Sequence, residues 1–428
     1  MSSTSPRVSA AKRGVEGALR RPLSFTETAP AAKLPGNSWG VNMRLVAAAA
    51  IAAMVITSVS EAEARTWRIR PGADAEQQLQ TALIEARPGD TVQLARGRFE
   101  ISSGLSLDVD RVTIRGDGHE RSILSFNNQS RGAEGLLITS DNVTLRGFAV
   151  ENARGDAIKA RDCNGITISE VRVEWTRGPN AENGAYGLYP VNCDNVLIER
   201  SIARGASDAG IYVGQSRNII VRENLAEYNV AGIEIENSYN ADVFDNHATR
   251  NTGGILVFDL PGLPQQGGHS IRVFENVIND NNTPNFAPAG NIVAGVPTGT
   301  GVLIMANRNV HVFDNEIGDN GTVNVLISAY RESFEDVNYN PLARDIVIRD
   351  NEFGNTGYAP AGDLAALGQL GVPIPDVMWD GASMYSQGGT PRTELVRIVV
   401  RDTTSSRTGQ GSFLSLGMAV AGSPLTEA

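Results

Sequence analysis

Polar and aromatic side chains alternate with apolar ones along short strand-like segments between residues 158 and 236. In each segment the apolar residues fall on one side and the polar or aromatic residues fall on the other. The outward residues in chain order are Lys159, Tyr189, Tyr212 and Glu234, with Arg161 and Glu236 two positions further along their strands. Such a surface suits a sugar polymer, because rings stack on apolar sugar faces while polar groups bind the hydroxyls.

These residue types could also abstract a proton next to a uronate carboxylate, the step shared by polysaccharide lyases and C5-epimerases. That step needs a base, either Lys159 with a pKa lowered by Arg161, or one of the two tyrosines. It also needs a cation to neutralise the carboxylate, which is either Arg161 or a Ca²⁺ ion. The expected calcium ligands are Asp208, Glu234 and Glu236.

The expected substrate-binding residues are Glu234, Glu236, Asp208, Asp259 and His269. Three interpretations of this surface stay open: catalysis, non-catalytic glycan binding, and a purely structural ladder of solvated charges and stacked rings. A fourth interpretation, from another functional class, is a scaffold that docks another exported protein through the loops at 258–299. The two dispersed histidines His269 and His311 are more typical of lone polar contacts than of a metal site.

An internal repeat indicates the elements that position these residues. Asparagine pairs five residues apart recur at Asn224/Asn229, Asn246/Asn251, Asn276/Asn281 and Asn315/Asn320, with a near-match at Asn351/Asn355. The minimal repeat is 22–23 residues and holds three strands of three to five residues. One such turn cannot bury its apolar face alone, so the copies must stack at about 4.8 Å per coil.

This pattern predicts a parallel β-helix. Leucine-rich repeats share the repeat length but require a Leu-x-x-Leu-x-Leu pattern, which is absent, and propeller blades need about 40 residues and Trp-Asp signals. Asparagine fits the bends because it tolerates left-handed backbone and its stacked amides form ladders. A short helix over 73–86, with Leu79, Leu83 and Ile84 on one side, is expected to cover the first coil and hide its open edge.

Departures from the minimal period place insertions at 176–185, 258–269, 282–299 and 328–344. All four lie beside the third strand of a coil, so they cluster on one side of the stack. The outward column continues as Leu256, Leu303 and Leu326, which the 258–269 and 282–299 loops or the 356–391 segment are expected to cover. The N-terminal end of the column, from Lys159 to Glu234, is expected to stay uncovered.

The segment PGDTVQLARGRF at 88–99 resembles the first coil of exported polysaccharide lyases and epimerases of the pectate-lyase-like fold. The asparagine repeats resemble the β-helix repeat family, and residues 253–269 and 281–290 are similar to a bacterial group of unassigned function. The resemblance implies an all-β, right-handed parallel β-helix of three strands per coil and about ten coils. It covers residues 66–355 and says little about chemistry.

Catalytic motifs of related families are missing. The Asp-Pro-His-Asp motif of mannuronan epimerases is absent, and Gly267-Gly268-His269 only partly matches the Gly-His-Gly of polygalacturonases. Phe244, Phe274 and Phe313 form a second outward column, which is expected to pack beneath a loop or tail. Cys163 and Cys193 hold equivalent places in adjacent coils, a spacing that a disulfide accepts. We predict a disulfide here, and the alternative is two stacked buried thiols.

The N-terminus is typical of a precursor. Met43-Arg44, an apolar run at 45–59 and Ala62-Glu63-Ala64 have the layout of a signal peptide. We therefore expect residues 1–64 to be an extension plus signal peptide with Met43 as the start, 65–355 to be the β-helix, and 356–428 to be irregular with a possible last coil at 397–402. The product is expected in the periplasm or outside the cell, with no stable membrane span.

Composition and net charge limit the classes of molecule that the protein is expected to bind. The net charge of −11 becomes −14 once residues 1–64 are removed, because they hold seven Lys/Arg and four Asp/Glu. An acidic chain lacks the basic stripe that nucleic acid requires. The same charge weighs against a polyanionic substrate unless Ca²⁺ or the Lys159–Arg161 pair compensates. The expected partner is a polysaccharide or another exported protein.

Overall fold

The computed structural model describes residues 64–417 and confirms a right-handed parallel β-helix. The expected signal peptide and its cleavage site lie outside these residues. Each coil contributes one strand to each of three long sheets, and successive coils pair in parallel. None of the helices in the described part is long and apolar enough to cross a bilayer.

The first sheet has twelve strands within the described residues: Thr66–Ile69, Thr91–Leu94, Thr113–Arg115, Val143–Arg146, Asn164–Ser169, Asp194–Glu199, Arg217–Arg222, Tyr239–Phe244, His269–Phe274, Arg308–Phe313, Arg344–Arg349 and Ile398–Arg401. The second sheet has Gly97–Glu100, Ser122–Ser125, Ala149–Glu151, Arg172–Glu174, Ile202–Arg204, Leu225–Glu227, His247–Thr249, Val277–Asn279, Glu316–Gly318, Glu352–Phe353, Thr404–Ser405 and Gly409–Gln410.

The third sheet carries the outward column. Its strands are Ser103–Leu107, Arg131–Ile138, Ile158–Arg161, Tyr186–Val191, Ala209–Gly214, Ala231–Glu236, Gly253–Phe258, Thr300–Met305, Val323–Ser328, Val377–Trp379 and Phe413–Ser415. A separate hairpin pairs Met384–Gln387 with Thr390–Thr393. Short helices lie at Ile292–Gly295, Gly362–Leu364 and Ala365–Gln369.

The β-helix continues beyond the expected boundary at residue 355. The strand at Ile398–Arg401 pairs with Arg344–Arg349, which confirms the predicted last coil at 397–402. Strands at Val377–Trp379 and Phe413–Ser415 extend the third sheet in the same way. Residues 356–417 therefore continue the solenoid with longer connections.

The capping helix spans Ala75–Glu85, as predicted to within two residues. Leu79 and Leu83 are buried, and the helix contacts the strands of the first coil. Ile84, which was expected on the same side, is 67% exposed. It follows Leu83 directly, and the 100° step between neighbouring helical residues turns it to solvent.

Two ladders of buried asparagines run inside the coils. In the first, each side-chain amide donates to the Oδ1 atom of the next: Asn224 to Asn246 at 2.9 Å, Asn246 to Asn276 at 3.0 Å, and Asn276 to Asn315 at 2.9 Å. The second ladder joins Asn229, Asn251, Asn281 and Asn320 in the same way. Asn355 does not continue it, because Thr356 takes the place beside Asn320.

The left-handed backbone at these bends belongs to the residue before each asparagine, not to the asparagine itself. Glu223, Asp245, Glu275 and Asp314 have φ between 53° and 56°. This arrangement turns the acidic side chain outward and the asparagine inward. The recurrent acidic-Asn pairs therefore encode both the bend and its internal hydrogen bonding.

Candidate functional site

The outward column of the third sheet is formed as the sequence predicts. Lys159 is in register with Tyr189, Tyr212 with Glu234, and Glu234 with Leu256. Leu256, Leu303 and Leu326 continue it in register. The predicted inward residues are buried, including Ile158, Leu188, Ile211, Ile233 and Ile255, each at 0% exposure.

Coverage of the column differs from the prediction. The leucine end is covered as expected, because Leu256 and Leu303 pack in one apolar cluster with Val293 and Val296 of the 282–299 segment. The cover extends further toward the N-terminus than predicted, however. Tyr212 is 4% exposed and Glu234 is 1% exposed, so neither lies on the open surface. The 282–299 segment contributes to this additional cover, because Tyr212 packs in the same apolar cluster as Val293 and Val296.

Lys159 lies in the part of the column that stays open, and carboxylates surround it. Its Nζ atom lies 3.4 Å from Asp156 and 3.9 Å from Glu134. The same atom lies 4.7 Å from the ring centroid of Tyr189, within the range of a cation–π contact. Glu134, Asp156, Lys159, Tyr186 and Tyr189 are all partly exposed, and we call these five residues the open patch.

Arg161 also lies on the exposed side of its strand. Its guanidinium is 3.8 Å from Asp162, and the ionic partners of Lys159 are Asp156 and Glu134. Lys159 is therefore placed among anions. The pKa of Asp156 is raised, chiefly because its carboxyl is largely but not fully buried, and the nearby Lys159 offsets part of that effect.

Three tyrosine rings meet at the edge of the open patch. The ring centroids of Tyr186 and Tyr189 are 4.4 Å apart, and Tyr212 lies 4.6 Å from Tyr186 and 4.9 Å from Tyr189. Burial and the nearby carboxylates raise the pKa of all three phenols, so they stay protonated at neutral pH. The three phenols are therefore poor candidates for the base in proton abstraction.

Tyr186 and Glu134 were not among the predicted site residues. Glu134, Asp156 and Tyr186 stand three residues before outward positions of their strands, which are Leu137, Lys159 and Tyr189. A second column thus runs beside the first, at the start of each third strand. The recurring offset of three residues is the sequence signal that would have found it.

Asp208, Glu234 and Glu236 are all buried, and we call them the covered acid cluster. The Asn291 amide of the 282–299 segment donates to Asp208 Oδ2 at 3.4 Å. Burial and neighbouring carboxylates raise the pKa of Asp208 to about 7, although a hydrogen bond from Tyr186 partly offsets this. Burial also raises the pKa of Glu234 and Glu236. The Tyr212 hydroxyl donates to Oε1 of Glu236 at 2.7 Å, whereas Oε2 of Glu234 is buried and accepts no hydrogen bond.

The predicted calcium site at Asp208, Glu234 and Glu236 gains no support from the geometry. Within residues 64–417, no group of three or more His, Cys, Asp or Glu side chains is arranged to hold a metal ion. The calcium requirement stays a prediction.

Asp259 and His269 lie in different surroundings. Asp259 is buried beside Glu236, and its carboxylate accepts the backbone N–H groups of Gly267 and Gly268 at 3.1 and 2.8 Å. It therefore holds the 258–269 loop in place. His269 lies on the first sheet, where its ring stacks on Tyr239 with centroids 4.5 Å apart.

His269 pairs in register with Arg308, whereas His311 pairs with Arg272 in the same two strands. The two histidines are therefore offset by three residues and do not stack. The phenylalanine column of the first sheet is formed as predicted, with centroid distances of 4.9 Å from Phe244 to Phe274 and 5.0 Å from Phe274 to Phe313. These rings remain partly exposed.

A cavity of about 570 Å³ lies on the third-sheet face beyond the 282–299 segment. Its lining includes Leu303, Leu326, Tyr330 and Arg331. The Arg331 guanidinium lies 3.8 Å from both Asp363 and Asp380. The 282–299 segment therefore separates this cavity from the open patch along the same face.

A disulfide joins Cys163 and Cys193, as predicted, with the Cα atoms 4.6 Å apart. Cys163 follows the strand of Lys159, and Cys193 follows the strand of Tyr189. The bond therefore ties together the coils of Lys159 and Tyr189, two of the three coils that supply the open patch. It fixes the amine and the ring relative to each other.

Comparisons with known proteins agree with this architecture. Residues 112–260 match the family described as right handed beta helix region. A comparison with curated protein sequences gives no match. The A-module of mannuronan C-5 epimerase AlgE4 from Azotobacter vinelandii has a similar structure, with a TM-score of 0.57 and 18% identity over 78% of this chain and 84% of that one.

Two further structures are similar at lower identity. The N-terminal fragment of bacteriophage Phi29 gene product 12 gives a TM-score of 0.50 at 13% identity, covering 81% of this chain and 64% of that one. The catalytic unit of the GH87 alpha-1,3-glucanase from Streptomyces thermodiastaticus gives 0.44 at 15% identity, covering 84% and 68%. At these identities the likeness concerns the fold.

Proposed function

We propose that the protein binds a polysaccharide at the open patch of the third sheet. The observation that carries this proposal is the placement of the Lys159 amine 4.7 Å over the ring of Tyr189, with Asp156 at 3.4 Å. An exposed ring beside hydrogen-bonding groups of both signs suits a sugar, whose C–H face stacks while its hydroxyls bind. The fold shared with the AlgE4 epimerase module supports the same class of ligand.

The charge of the face favours a neutral glycan over a polyuronate. Six carboxyl groups lie along this part of the third sheet and its loops: Glu134, Asp156, Asp208, Glu234, Glu236 and Asp259. Lys159 is the single lysine among the described residues, and Asp156 and Glu134 already pair with it. Those of the six that are ionised would repel a uronate chain but not a neutral chain.

Processing of the bound glycan is the second candidate function, for which Lys159 supplies an amine beside the Tyr189 ring. With the tyrosine phenols protonated, Lys159 is the candidate base and Tyr189 is a candidate proton donor for lyase or C5-epimerase chemistry. Arg161 is the cation available to face a substrate carboxylate, since its side chain is 53% exposed. This function requires a uronate substrate, so the two candidates predict different ligands.

Binding to the neutral polymers laminarin and galactomannan and to the uronates alginate and polygalacturonate tests the proposal. Retardation of the protein in gels that contain each polymer measures affinity directly. We expect retardation by a neutral polymer and its loss in the Tyr189→Ala and Lys159→Ala variants. Tyr228→Ala is the matched control, because Tyr228 is also an exposed tyrosine but lies outside the third-sheet strands, in the bend that follows Leu225–Glu227.

The same experiment distinguishes glycan binding from glycan processing. Ultraviolet absorbance from unsaturated ends, formed with alginate or polygalacturonate and lost in Lys159→Ala, would favour processing. Retention of full binding in both patch variants would remove the open patch as the glycan site. No retardation by any of the four polymers would leave the scaffold function, docking another exported protein through the 258–299 loops, as the better explanation.

We also propose that the protein is exported to the periplasm or beyond. The apolar run at 45–59 followed by Ala62-Glu63-Ala64 supports this, and so does the Cys163–Cys193 bond, since disulfides persist mainly in oxidising compartments. Fractionation of cells that express the full chain, with the N-terminus of the product sequenced, tests it. A product in the cytoplasmic fraction that still begins at Met1 or Met43 would contradict the proposal.

A further inference from the structure

Two of the insertions that interrupt the repeat, at 282–299 and 328–344, both line the cavity of about 570 Å³. The floor of this cavity is the outward face of the third sheet, where two strands in register contribute Leu303, Met305, Leu326 and Ser328. Small-molecule sites are concave and mostly apolar, and their volumes fall in this range. The cavity is therefore large enough for a small ligand.

Apolar side chains extend the lining beyond the floor. Ile292 and Val296 of the first insertion line the cavity, and so do Leu364 and Leu416 from the region after residue 355. Tyr330 of the second insertion adds an aromatic ring. An apolar group that enters the cavity would leave water for a surface of this kind, which is the main source of affinity in such sites.

Hydrogen bonds and ring packing fix the walls. The Asn285 amide donates to the carbonyls of Val293 and Val296 at 2.9 and 3.0 Å, which folds the first insertion on itself. Tyr330 of the second insertion packs edge-on against Tyr339, with ring centroids 5.7 Å apart. The cavity is thus preformed, and a ligand can enter without rearrangement of these walls.

The charged residues of the lining are Arg331, Glu332, Asp363 and Asp380. The Arg331 guanidinium lies 3.8 Å from both Asp363 and Asp380. Asp380 is almost fully buried, and its two carboxyl oxygens accept the backbone N–H groups of Ala329 and Ala382 at 2.8 and 3.0 Å. Asp380 therefore serves the fold, whereas the other three charges face solvent.

The exposed charges determine which sign of ligand the cavity favours. The side chain of Asp363 is 93% exposed, and Glu332 is exposed as well. An anion drawn to Arg331 would also meet Asp363 and Asp380, because both carboxyls lie beside that guanidinium. A cation would find two exposed carboxylates. Charge complementarity therefore favours a cationic ligand.

We propose that this cavity binds an amphipathic amine, whose apolar group lies over Leu303 and Leu326 and whose ammonium group lies beside Glu332 and Asp363. The site is distinct from the open patch, because none of the five open-patch residues lines the cavity. The proposal is independent of the proposed glycan function. Apolar burial and charge pairing both contribute, so a ligand that lacks either one binds more weakly.

Met305 provides a reporter inside the cavity. Residues 64–417 contain two other methionines, Met378 and Met384. Met384 lies on the separate hairpin and does not line the cavity, so its methyl group is an internal control. The full chain, isotope-labelled at the methionine methyl groups, is titrated at neutral pH with n-octylamine, 1-octanol or octanoate and followed by NMR. The Met305→Leu variant assigns the resonance.

The three probes share one alkyl chain and differ in the charge of the head group. We expect n-octylamine to shift the Met305 methyl resonance in a saturable manner and to bind about tenfold more tightly than 1-octanol, with octanoate the weakest. Ethylamine, which has the ammonium group without the long chain, should give no saturable shift. The Met384 resonance should stay in place throughout.

Variants test the two parts of the site separately. The double variant Glu332→Gln/Asp363→Asn should weaken n-octylamine binding by about tenfold and leave 1-octanol binding unchanged. Glu335→Gln is the matched control, because Glu335 is an exposed acid of the same insertion that does not line the cavity. Ser328→Trp places a large ring on the floor and should abolish binding of both probes.

Other results would overturn the proposal. Equal affinities for the amine and the alcohol, or tighter binding of octanoate, would exclude a cationic ligand. A saturable shift that persists in Ser328→Trp would place the binding outside the cavity. Shifts of Met305 and Met384 that grow together without saturation would show non-specific association, and the absence of a Met305 shift with every probe would remove the site.

Discussion

The hydroxyl of Tyr212 donates to Oε1 of Glu236 over 2.7 Å, and both side chains are almost fully buried. Tyr212→Phe removes the donor and leaves a buried carboxyl oxygen without its partner. We expect the free energy of unfolding to fall by about 1–3 kcal/mol, measured by urea denaturation. Tyr189→Phe, at a partly exposed tyrosine of the same ring cluster, is the control and should change stability less.

The stability of the protein should fall as the pH rises from about 4 to about 7. Burial raises the pKa of Asp208 to about 7 and that of Asp259 to about 6, against an ordinary value of 3.8. The folded chain therefore binds more protons than the unfolded chain in that window. Urea denaturation at several pH values measures the slope.

Asp208→Asn should flatten that pH dependence, whereas Asp162→Asn, at an exposed carboxylate, should leave it unchanged. Below about pH 4 the trend should reverse. Glu199 is buried, but hydrogen bonds from Arg222 and Ser169 hold its pKa below the ordinary value, so its protonation costs stability. A stability that rises steadily from pH 4 to pH 8 would contradict this account of the acid cluster.

Interruption of an asparagine ladder should destabilise the chain strongly. The Asn276 amide donates to Val243, Phe274 and Asn315, and its Oδ1 accepts from Asn246. Asn276→Ala leaves these buried groups unpaired, and we expect a loss of about 2–4 kcal/mol in thermal or urea unfolding. Asn338→Ala, at an exposed asparagine, should have little effect. Equal losses in the two variants would contradict the ladder as a stabilising element.

Loss of the disulfide should destabilise both the fold and the open patch. The bond spans 30 residues, and a loop of that size contributes about 3–4 kcal/mol in chain-entropy treatments. The Cys163→Ala/Cys193→Ala variant should unfold at a lower urea concentration than wild type and should not respond to reductant. Wild type should move to the same midpoint when reduced. Mass measurement after alkylation without reductant should find no labelled thiol at these positions.

The repeat made three features predictable: the fold, the inward or outward direction of each side chain, and the disulfide. A fixed period specifies which residues stack one coil apart, so Lys159 over Tyr189 and Cys163 beside Cys193 follow from the sequence. Period-2 alternation then separates inward from outward residues. The left-handed residue at each bend was misplaced by one position, because Asn is the commoner left-handed residue in general.

The cover over the site was predictable only in part. The exposed leucines required some cover, but no pattern in residues 282–299 states how far along the column the loop reaches. Its path depends on the packing of Val293 and Val296 against side chains three coils away in sequence. Tyr212 and Glu234 were therefore expected in the open, and the structure buries both.

The single lysine of the open patch gives the folded region a unique chemical handle. Among residues 64–417 no other side chain carries a primary amine, so acylation, reductive methylation or coupling to an amine-reactive surface is directed to Lys159. Immobilisation through the Lys159 amine would block the open patch and abolish glycan binding. Isotope-labelled dimethylation of the same amine would instead give one side-chain resonance, beside the Tyr189 ring, that reports directly on an arriving ligand.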